Sequence, residues 1–193
     1  MALSKPDFNE QYTYKDLLNW PENERWELID GKAFNMTPAP SRKHQEILGN
    51  LYRIAGDFLD GKSCKVYIAP FDVRLPIGDE PDSEIDTVVQ PDLVVICDEK
   101  KLDDKGCRGV PDWVVEVLSP STTEKDLTKK KTLYEFHRVP EYWVIFPNEK
   151  IVQVFDLDEN GKFVQKRIYI ANAKAPVLIL PGLVVDLPRV FEE

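Results

Sequence analysis

The stretch that decides the fold lies between Gln90 and Tyr134, and it opens with Gln90-Pro91-Asp92-Leu93-Val94-Val95-Ile96. It continues with Trp113-Val114-Val115-Glu116-Val117-Leu118-Ser119-Pro120-Ser121-Thr122 and ends with Asp126-Leu127-Thr128-Lys129-Lys130-Lys131-Thr132-Leu133-Tyr134. The two nearly continuous runs of Val, Ile and Leu are typical of central strands that are covered on both faces. We therefore predict two core strands followed by a helix.

Two carboxylates interrupt these apolar runs. Glu116 lies inside the second run, where an unpaired charge is costly, so its carboxylate needs an ion pair, a metal or a proton. Asp92 stands at the mouth of the first strand, beside Pro91, which removes one donor from the ladder. If the two strands are neighbours, both carboxylates can meet one cation, and Mg²⁺ prefers such oxygen ligands.

A lysine on the following helix is the third candidate. At about 100° per residue, Lys130 falls on the arc that holds Leu127, Leu133 and Tyr134, so we expect it to point toward the sheet. An inward lysine above two carboxylates can orient water or stabilise charge that develops on a phosphate. Other interpretations stay open, because Glu116 can pair with Lys130 and bind nothing, and a lysine triplet is usually a solvated face. An aspartate that follows a proline can also simply shape a turn.

The flanking sequence predicts the rest of a mixed α/β domain. The predicted elements are a short helix after a capping box at Thr13–Asp16, a hairpin about Asp30-Gly31, a helix from Ser41 to before Gly61, strands around Pro70, a capping box at Ser121–Glu124 that starts a helix to about Arg138, a meander between 141 and 170, and a β-rich end at 177–187. This order predicts one domain, residues 1–193, with a mixed sheet flanked by two main helices.

The composition is that of a soluble globular protein, with 42% apolar and 31% charged residues among 193. No apolar run approaches the ~20 residues of a membrane span, and the first residues lack the apolar core of a signal peptide. We therefore expect a cytoplasmic protein without membrane contact. The net charge of −9 weighs weakly against a nucleic-acid binder. Acidic residues crowd between 78 and 84, which predicts a solvated, mobile loop rather than a metal-binding loop.

The three cysteines are Cys64, Cys97 and Cys107. An odd count without a Cys-x-x-Cys pair speaks against a disulfide framework or a zinc ribbon. Cys64 and Cys97 lie in apolar runs, so we expect buried free thiols. A cysteine hydrolase built from Cys107 or Cys64 with His44 or His137 is the weakest functional hypothesis, because no motif surrounds those cysteines.

The candidate residues belong to a wider pattern. It consists of Pro91-Asp92, Val115-Glu116-Val117-Leu118-Ser119-Pro120-Ser121-Thr122, Asp126, Lys130, Tyr134 and Val139-Pro140-Glu141-Tyr142-Trp143. The pattern resembles the Uma-type restriction endonuclease family, a branch of the PD-(D/E)XK nuclease superfamily. The resemblance extends to Glu27-Leu28-Ile29-Asp30-Gly31 and His44-Gln45, and it spans roughly residues 13 to 187. A second Pro-Asp pair, Pro111-Asp112, precedes the Glu116 strand, and we interpret it as a structural pair without a catalytic role.

The resemblance implies a restriction-endonuclease-like core, with a central mixed β-sheet flanked by helices. It also implies a Mg²⁺ site, in which Mn²⁺ can substitute, with Asp92, Glu116 and the Val117 backbone carbonyl as ligands. The superfamily lysine usually stands two residues after the glutamate, and here that position is Leu118. Lys130 on the next helix would replace it.

Four further residues of the pattern are candidates for accessory or substrate contacts, namely Glu27, His44, Asp126 and Tyr134. Glu27 could reach the metal through water, and His44 could contact the substrate, although an ion pair and a capped helix residue would explain them equally. His137 is interpreted as a packing residue. Arg138 stands where the family usually has glycine.

The leading hypothesis is therefore a Mg²⁺-dependent endonuclease that hydrolyses DNA and, by analogy with nucleases that cut both strands, forms a homodimer or other homo-oligomer. The alternative is a catalytically weak or inactive nuclease fold that acts as a DNA- or protein-binding regulatory module. The acidic charge and Leu118 favour this alternative. The sequence does not distinguish DNA from RNA as the substrate.

Overall fold

The computed structural model describes residues 6–7, 10–21, 23–36, 39–119 and 126–192. In this part of the chain the elements are, in order, α1 (Tyr14–Leu17), β1 (Trp26–Ile29), β2 (Lys32–Asn35), α2 (Arg42–Leu59), β3 (Lys65–Ile68), β4 (Val73–Arg74), β5 (Val88–Val89), β6 (Leu93–Ile96), β7 (Leu102–Asp103), β8 (Gly106–Arg108), β9 (Trp113–Val117), α3 (Lys131–Phe136, directly after a π-helical turn at Asp126–Lys130), β10 (Glu141–Phe146), β11 (Ile151–Leu157), β12 (Phe163–Ile170), β13 (Lys174–Pro176), β14 (Val184–Asp186) and α4 (Leu187–Val190). No helix among them is both long and apolar enough to cross a bilayer.

A mixed six-stranded sheet forms the centre, with the strand order β12-β11-β10-β9-β6-β3. The β9–β10 pair is parallel, and the other pairs are antiparallel. The two predicted core strands, β6 and β9, are direct neighbours, with Leu93 opposite Val115 and Val95 opposite Trp113. The predicted mixed sheet, its core strands and the β10–β12 meander are confirmed.

Both faces of this sheet are buried, as the continuous apolar runs predict. Leu93 and Val115 point to the face that α2 covers, where Leu48 and Leu51 pack against them. Val94 and its neighbours on the opposite face belong to a second cluster, which includes Leu133 and Tyr134 of α3. The predicted long helix is confirmed as α2, and the Ser41 hydroxyl accepts the His44 backbone N–H at 3.2 Å as its N-cap.

A second six-stranded sheet, in the order β2-β1-β5-β4-β8-β7, was not predicted. Three of its strands, β4, β5 and β7, have only two residues, which is too short for a readable period. Its residues Val73 and Val89 pack into the same cluster as Val94 of the central sheet. The chain passes from the second sheet to the central one at Gln90-Pro91-Asp92, between β5 and β6. Pro91 lacks the N–H that would continue a ladder there.

The helix after β9 differs from its prediction in two ways. Its first described turn is π-helical, so the uniform spacing of about 100° per residue does not apply before Lys131. The helix ends at Phe136, and Arg138 has φ 59°, in the left-handed region that favours glycine. A glycine would adopt this conformation without strain, and here an arginine adopts it. The predicted capping box at 121–124 lies outside the described residues.

The acidic loop is tied to the second sheet. Arg74 in β4 is fully buried and forms ion pairs with Asp82 and Asp103, and Arg108 Nε lies 2.9 Å from Asp82 Oδ1. A buried guanidinium needs such partners, because an unpaired buried charge is costly. The prediction of a purely solvated loop is therefore wrong at Asp82.

The prediction of free thiols at Cys64 and Cys97 is also wrong, because the two are joined in a disulfide. The antiparallel register of β3 and β6 pairs Lys65 with Ile96, so the two cysteines meet just beyond that pair. The spacing of 33 residues in sequence does not reveal that these strands are neighbours. Cys107 is a free, buried thiol.

Candidate active site

Asp92 and Glu116 come together at one end of the β6–β9 pair. The register places Leu93 opposite Val115, and continuing it by one residue places Asp92 opposite Glu116. Directly opposed residues lie on the same face of a sheet, with β-carbons about 4.5–5.5 Å apart. The Val117 backbone N–H donates to Asp92 Oδ2 at 2.7 Å, which ties the aspartate to the end of β9.

Lys130 points inward onto Glu116. Its Nζ lies 2.8 Å from Glu116 Oε1 and 2.9 Å from Glu27 Oε1, and only 2% of its side chain is exposed. Leu118, at the usual superfamily lysine position, instead packs in the core. The lysine that contacts Glu116 thus comes from the segment after β9, as the sequence predicted, although the turn that carries it is π-helical.

Tyr134 supports the same glutamate. Its hydroxyl donates to Glu116 Oε1 at 2.9 Å. Burial, followed by the negative charge of Glu116, raises the pKa of Tyr134 well above its ordinary value. The phenol therefore stays protonated at physiological pH and remains a donor to the carboxylate.

Glu27 comes from the second sheet and is fully buried. Its Oε1 accepts the Gln90 backbone N–H at 2.9 Å as well as the Lys130 ammonium. The Gln90 side chain is itself held, because its Oε1 accepts from Arg25 and its Nε2 donates to Asp72. Gln90 thus anchors Glu27 at the point where the chain crosses between the sheets. This role of Gln90 was not predicted, and the one sequence signal for it is the position of Gln90 beside Pro91-Asp92.

His44 reaches the aspartate rather than solvent. Its Nε2 lies 3.1 Å from Asp92 Oδ2, and the residue is 6% exposed. Its place in the first turn of α2 is fixed by the Ser41 cap. The predicted accessory residues Glu27, His44 and Tyr134 therefore all lie around Asp92 and Glu116. The side chain of Asp126 lies outside the described part of the structure.

The donor set suits Mg²⁺ in chemical type. The four side chains Glu27, Asp92, Glu116 and Lys130 carry a formal charge of about −2 when ionised at neutral pH. Mg²⁺ is usually bound by one or two carboxylates together with water and substrate oxygens rather than by a full protein cage. Among the described residues, no group of three His, Cys, Asp or Glu side chains is arranged to hold a metal. Asp92, Glu116 and the Val117 carbonyl are the groups that would hold the ion.

The second Pro-Asp pair lies at the other end of the same two strands. Asp112 Oδ2 accepts the Cys97 backbone N–H at 2.8 Å, and continuing the register beyond Trp113 places Asp112 opposite Ile96. An apolar residue stands opposite this aspartate, and its side-chain hydrogen bond within the described residues is to the backbone. The interpretation of Pro111-Asp112 as structural agrees with this placement.

The cysteines do not form a nucleophilic site. Cys64 is bonded to Cys97, and burial raises the pKa of the Cys107 thiol to about 12. A thiol with such a pKa is protonated at neutral pH and is a poor nucleophile. His137 caps α3 and is half-buried, as expected for a packing residue. These observations weigh against a cysteine hydrolase.

Comparison with a solved structure shows that the fold is shared with a nuclease-like protein. The crystal structure of a "putative nuclease belonging to DUF820" from Anabaena variabilis ATCC 29413 matches with a TM-score of 0.72. The match covers 93% of this chain and 97% of that one at 21% sequence identity. At this identity the likeness establishes the fold alone, and the restriction-endonuclease-like architecture expected from the sequence is confirmed.

Sequence comparison gives two further results. An uncharacterized protein of Synechocystis sp. (strain ATCC 27184 / PCC 6803 / Kazusa), slr1290, is 26% identical over 153 residues, which cover 78% of this chain and 76% of that protein. The model of the Uma2 family, described as "Putative restriction endonuclease", matches residues 13–188. That match takes in every candidate residue described above, and it covers nearly the whole chain. The chain therefore belongs to the Uma2 family.

Proposed function

We propose that this protein is a Mg²⁺-dependent endonuclease that hydrolyses DNA phosphodiester bonds. The proposed catalytic residues are Asp92, Glu116 and Lys130. The observation that carries the proposal is the position of Lys130 Nζ, 2.8 Å from Glu116 Oε1, on the carboxylate that the register sets opposite Asp92. Two carboxylates and a lysine are the groups that the superfamily uses for this chemistry. Here they come from two adjacent strands and the next helix.

Each residue has a separate task in this proposal. When bound, Mg²⁺ would polarise the phosphodiester and lower the pKa of an attacking water. Asp92, Glu116 and the Val117 carbonyl hold the ion, and Mn²⁺ can take its place. The Lys130 ammonium donates a hydrogen bond to the attacking water or to the phosphate oxygen on which negative charge grows.

Glu27 and Tyr134 keep the lysine and the glutamate in place. Glu27, in β1 of the second sheet, accepts a hydrogen bond from Lys130 and so holds the ammonium in place. Tyr134 donates to Glu116 and restricts its rotation. Asp126 remains a proposed accessory contact, because it stands one helical turn before Lys130 in the sequence.

The proposal includes a substrate and an assembly. DNA is the proposed substrate, and the stretch 124–138 has a local charge of +2 in a chain of net charge −9, because five basic residues outnumber three acidic ones: Lys125, Lys129, Lys130, Lys131 and Arg138 against Glu124, Asp126 and Glu135. By analogy with nucleases that cut both strands, we propose that the single domain, residues 1–193, forms a homodimer or other homo-oligomer in the cytoplasm.

Cleavage of a supercoiled plasmid tests the proposal. We expect nicked and linear products with Mg²⁺ or Mn²⁺, none in excess chelator, and a loss of about 10³-fold in Glu116→Ala, which removes a metal ligand. A single-stranded RNA of matched length tests the choice between nucleic acids. If cleavage survives Glu116→Ala, the assignment of the site is wrong.

One observation favours the regulatory module as a second candidate. Lys130 already lies between the buried carboxylates of Glu27 and Glu116, and such a buried ion pair can serve the fold without catalysing any reaction. Two experiments together separate the candidates: a gel shift in chelator measures DNA binding, and an assay with added metal measures cleavage. DNA that is retained by the protein but never cut, at any concentration of Mg²⁺ or Mn²⁺, identifies a binding module.

A further inference from the structure

The carboxylate of Asp92 is held through one of its two oxygens. The Val117 backbone N–H donates to Oδ2 at 2.7 Å, and His44 Nε2 lies 3.1 Å from the same oxygen. No hydrogen bond to Oδ1 occurs among the residues that the structure describes. Oδ1 is therefore the oxygen that remains for a cation.

The direction of the His44 hydrogen bond follows from the chemistry of the pair. An ionised carboxylate only accepts hydrogen bonds, so Nε2 must carry the hydrogen. The other ring nitrogen, Nδ1, is buried and has no hydrogen-bond partner in the described part of the chain. A hydrogen on Nδ1 would be a buried donor without an acceptor, which is costly. These contacts place the hydrogen that faces Asp92 on Nε2.

His44 is itself held in place, so it can fix the carboxylate of Asp92. It is 6% exposed, it lies in the first turn of α2, and the Ser41 hydroxyl accepts its backbone N–H. The structural aspartate at the other end of the strands, Asp112, has the equivalent backbone hydrogen bond from Cys97. The only other histidine of the chain, His137, caps α3. A histidine contact is therefore specific to the aspartate opposite Glu116.

We propose that His44 is a positioning residue, which locks the rotamer of Asp92 so that Oδ1 is presented to the divalent cation. The inference rests on the proposed function, because it takes Asp92 as a metal ligand. It also replaces the expectation that His44 contacts substrate. With Nε2 facing Asp92 and the ring buried, His44 acts through the aspartate.

Binding of Mn²⁺ to the full-length protein, measured by titration calorimetry without DNA, tests this role. Removing a group that orients a metal ligand costs about 10–100-fold in metal affinity, and we expect this loss in His44→Leu. His44→Gln can place an amide N–H near the position of Nε2, so its affinity should stay within about 3-fold of the wild type, since it keeps the hydrogen bond. His137→Leu is the matched control and should leave the affinity unchanged.

Plasmid cleavage separates positioning from direct action on the substrate. At saturating Mn²⁺, His44→Leu should recover most of the wild-type turnover, because its defect lies in metal affinity. Unchanged Mn²⁺ affinity in His44→Leu would overturn the proposal, as would a turnover that stays low once the metal is saturating. Asp92→Asn is measured alongside. If it binds Mn²⁺ as the wild type does, the proposed metal site itself is wrong, whereas lost binding there together with unaffected His44→Leu overturns only the role of His44.

A measurement on the wild-type protein covers the case in which His44→Leu does not fold. The ¹⁵N chemical shifts of the His44 ring at pH 7 report which nitrogen carries the hydrogen. We expect a hydrogen on Nε2, the nitrogen that faces Asp92. The Nδ1–H form would turn a lone pair toward the carboxylate and would overturn the proposal.

Discussion

The two ends of the β6–β9 pair have the same Pro-Asp backbone contact but different residues opposite the aspartate. At the site end, Asp92 follows a proline, precedes its strand and accepts the backbone N–H of Val117. At the cystine end, Asp112 follows a proline, precedes its strand and accepts the backbone N–H of Cys97. The residue opposite the aspartate is Glu116 at the site end and Ile96 at the cystine end.

The comparison shows that a Pro-Asp pair at the start of a strand binds a backbone N–H of the neighbouring strand, with or without a metal site. An antiparallel pair is related to itself by a local two-fold axis, so the same dipeptide makes the same backbone contact at each end. A metal site arises only where a second carboxylate stands opposite and further side chains converge. At the site end these are His44 on Asp92, and Lys130 and Tyr134 on Glu116. At the cystine end a disulfide and a backbone contact complete the structure.

The largest expected difference between the ends is in catalysis. Asp92→Asn removes a metal ligand and should lower plasmid cleavage by about 10³-fold, whereas Asp112→Asn should change it by less than about 3-fold. Cleavage rates at matched protein concentration measure both variants. An equal loss of activity in the two variants would contradict the distinction between the ends, and urea unfolding checks that both variants are folded.

The next effect concerns the ion pair of the site end. Lys130→Met leaves Glu27 and Glu116 buried without their ammonium partner, so it should lower the free energy of unfolding by about 3–5 kcal/mol. The exposed neighbour Lys129 supplies the control, and Lys129→Met should cost less than about 0.5 kcal/mol because surface substitutions are usually mild. Urea unfolding at pH 7 measures both. A Lys130→Met protein as stable as the wild type would mean that the lysine is not paired as described.

The cystine end should matter for stability and little for cleavage. Replacing both Cys64 and Cys97 by serine opens a loop of 33 residues and should lower the free energy of unfolding by about 2–4 kcal/mol. Unfolding with and without dithiothreitol measures the contribution, and reduction should destabilise the wild type but not the double variant. The buried thiol at Cys107 provides the control, since Cys107→Ser leaves the disulfide intact. A wild-type protein insensitive to the reductant would mean that the disulfide does not form.

The smallest effects concern the turns beside each end. Ser41→Ala removes the cap that fixes the His44 turn, and it should cost about 1 kcal/mol of stability. Asp98 accepts the Lys100 backbone N–H beside Cys97, so Asp98→Ala is the matched change at the cystine end. Only Ser41→Ala should also weaken Mn²⁺ binding, which calorimetry measures. Equal Mn²⁺ affinities in the two variants would show that the cap does not influence the site.

The sequence predicts the parts of this molecule that carry a strong local pattern. Continuous apolar runs gave β6 and β9, and the period of α2 together with Ser41 gave its bounds. The helical arc predicts that Lys130 points inward, and it does so although the turn that carries it is π-helical. A charge within a buried strand marks Glu116 without any knowledge of the fold, because few environments accept it.

The remaining features depend on which segments become neighbours. The Cys64–Cys97 disulfide needs the β3–β6 pairing, and the buried Arg74 explains the acidic loop only once the second sheet is known. The contact between His44 and Asp92 spans 48 residues, and the anchoring of Glu27 by Gln90 spans 63. None of these pairs has a local periodicity that a sequence could display.

The central claim is that the site end holds a divalent cation and the cystine end does not. The most direct test is the anomalous density of Mn²⁺ in crystals of the wild-type protein soaked with the metal. We predict a peak within about 2.0–2.4 Å of an oxygen of both Asp92 and Glu116, which is the range expected for carboxylate ligands of such cations. A peak beside Asp112, or no peak between Asp92 and Glu116 at saturating Mn²⁺, would contradict the account.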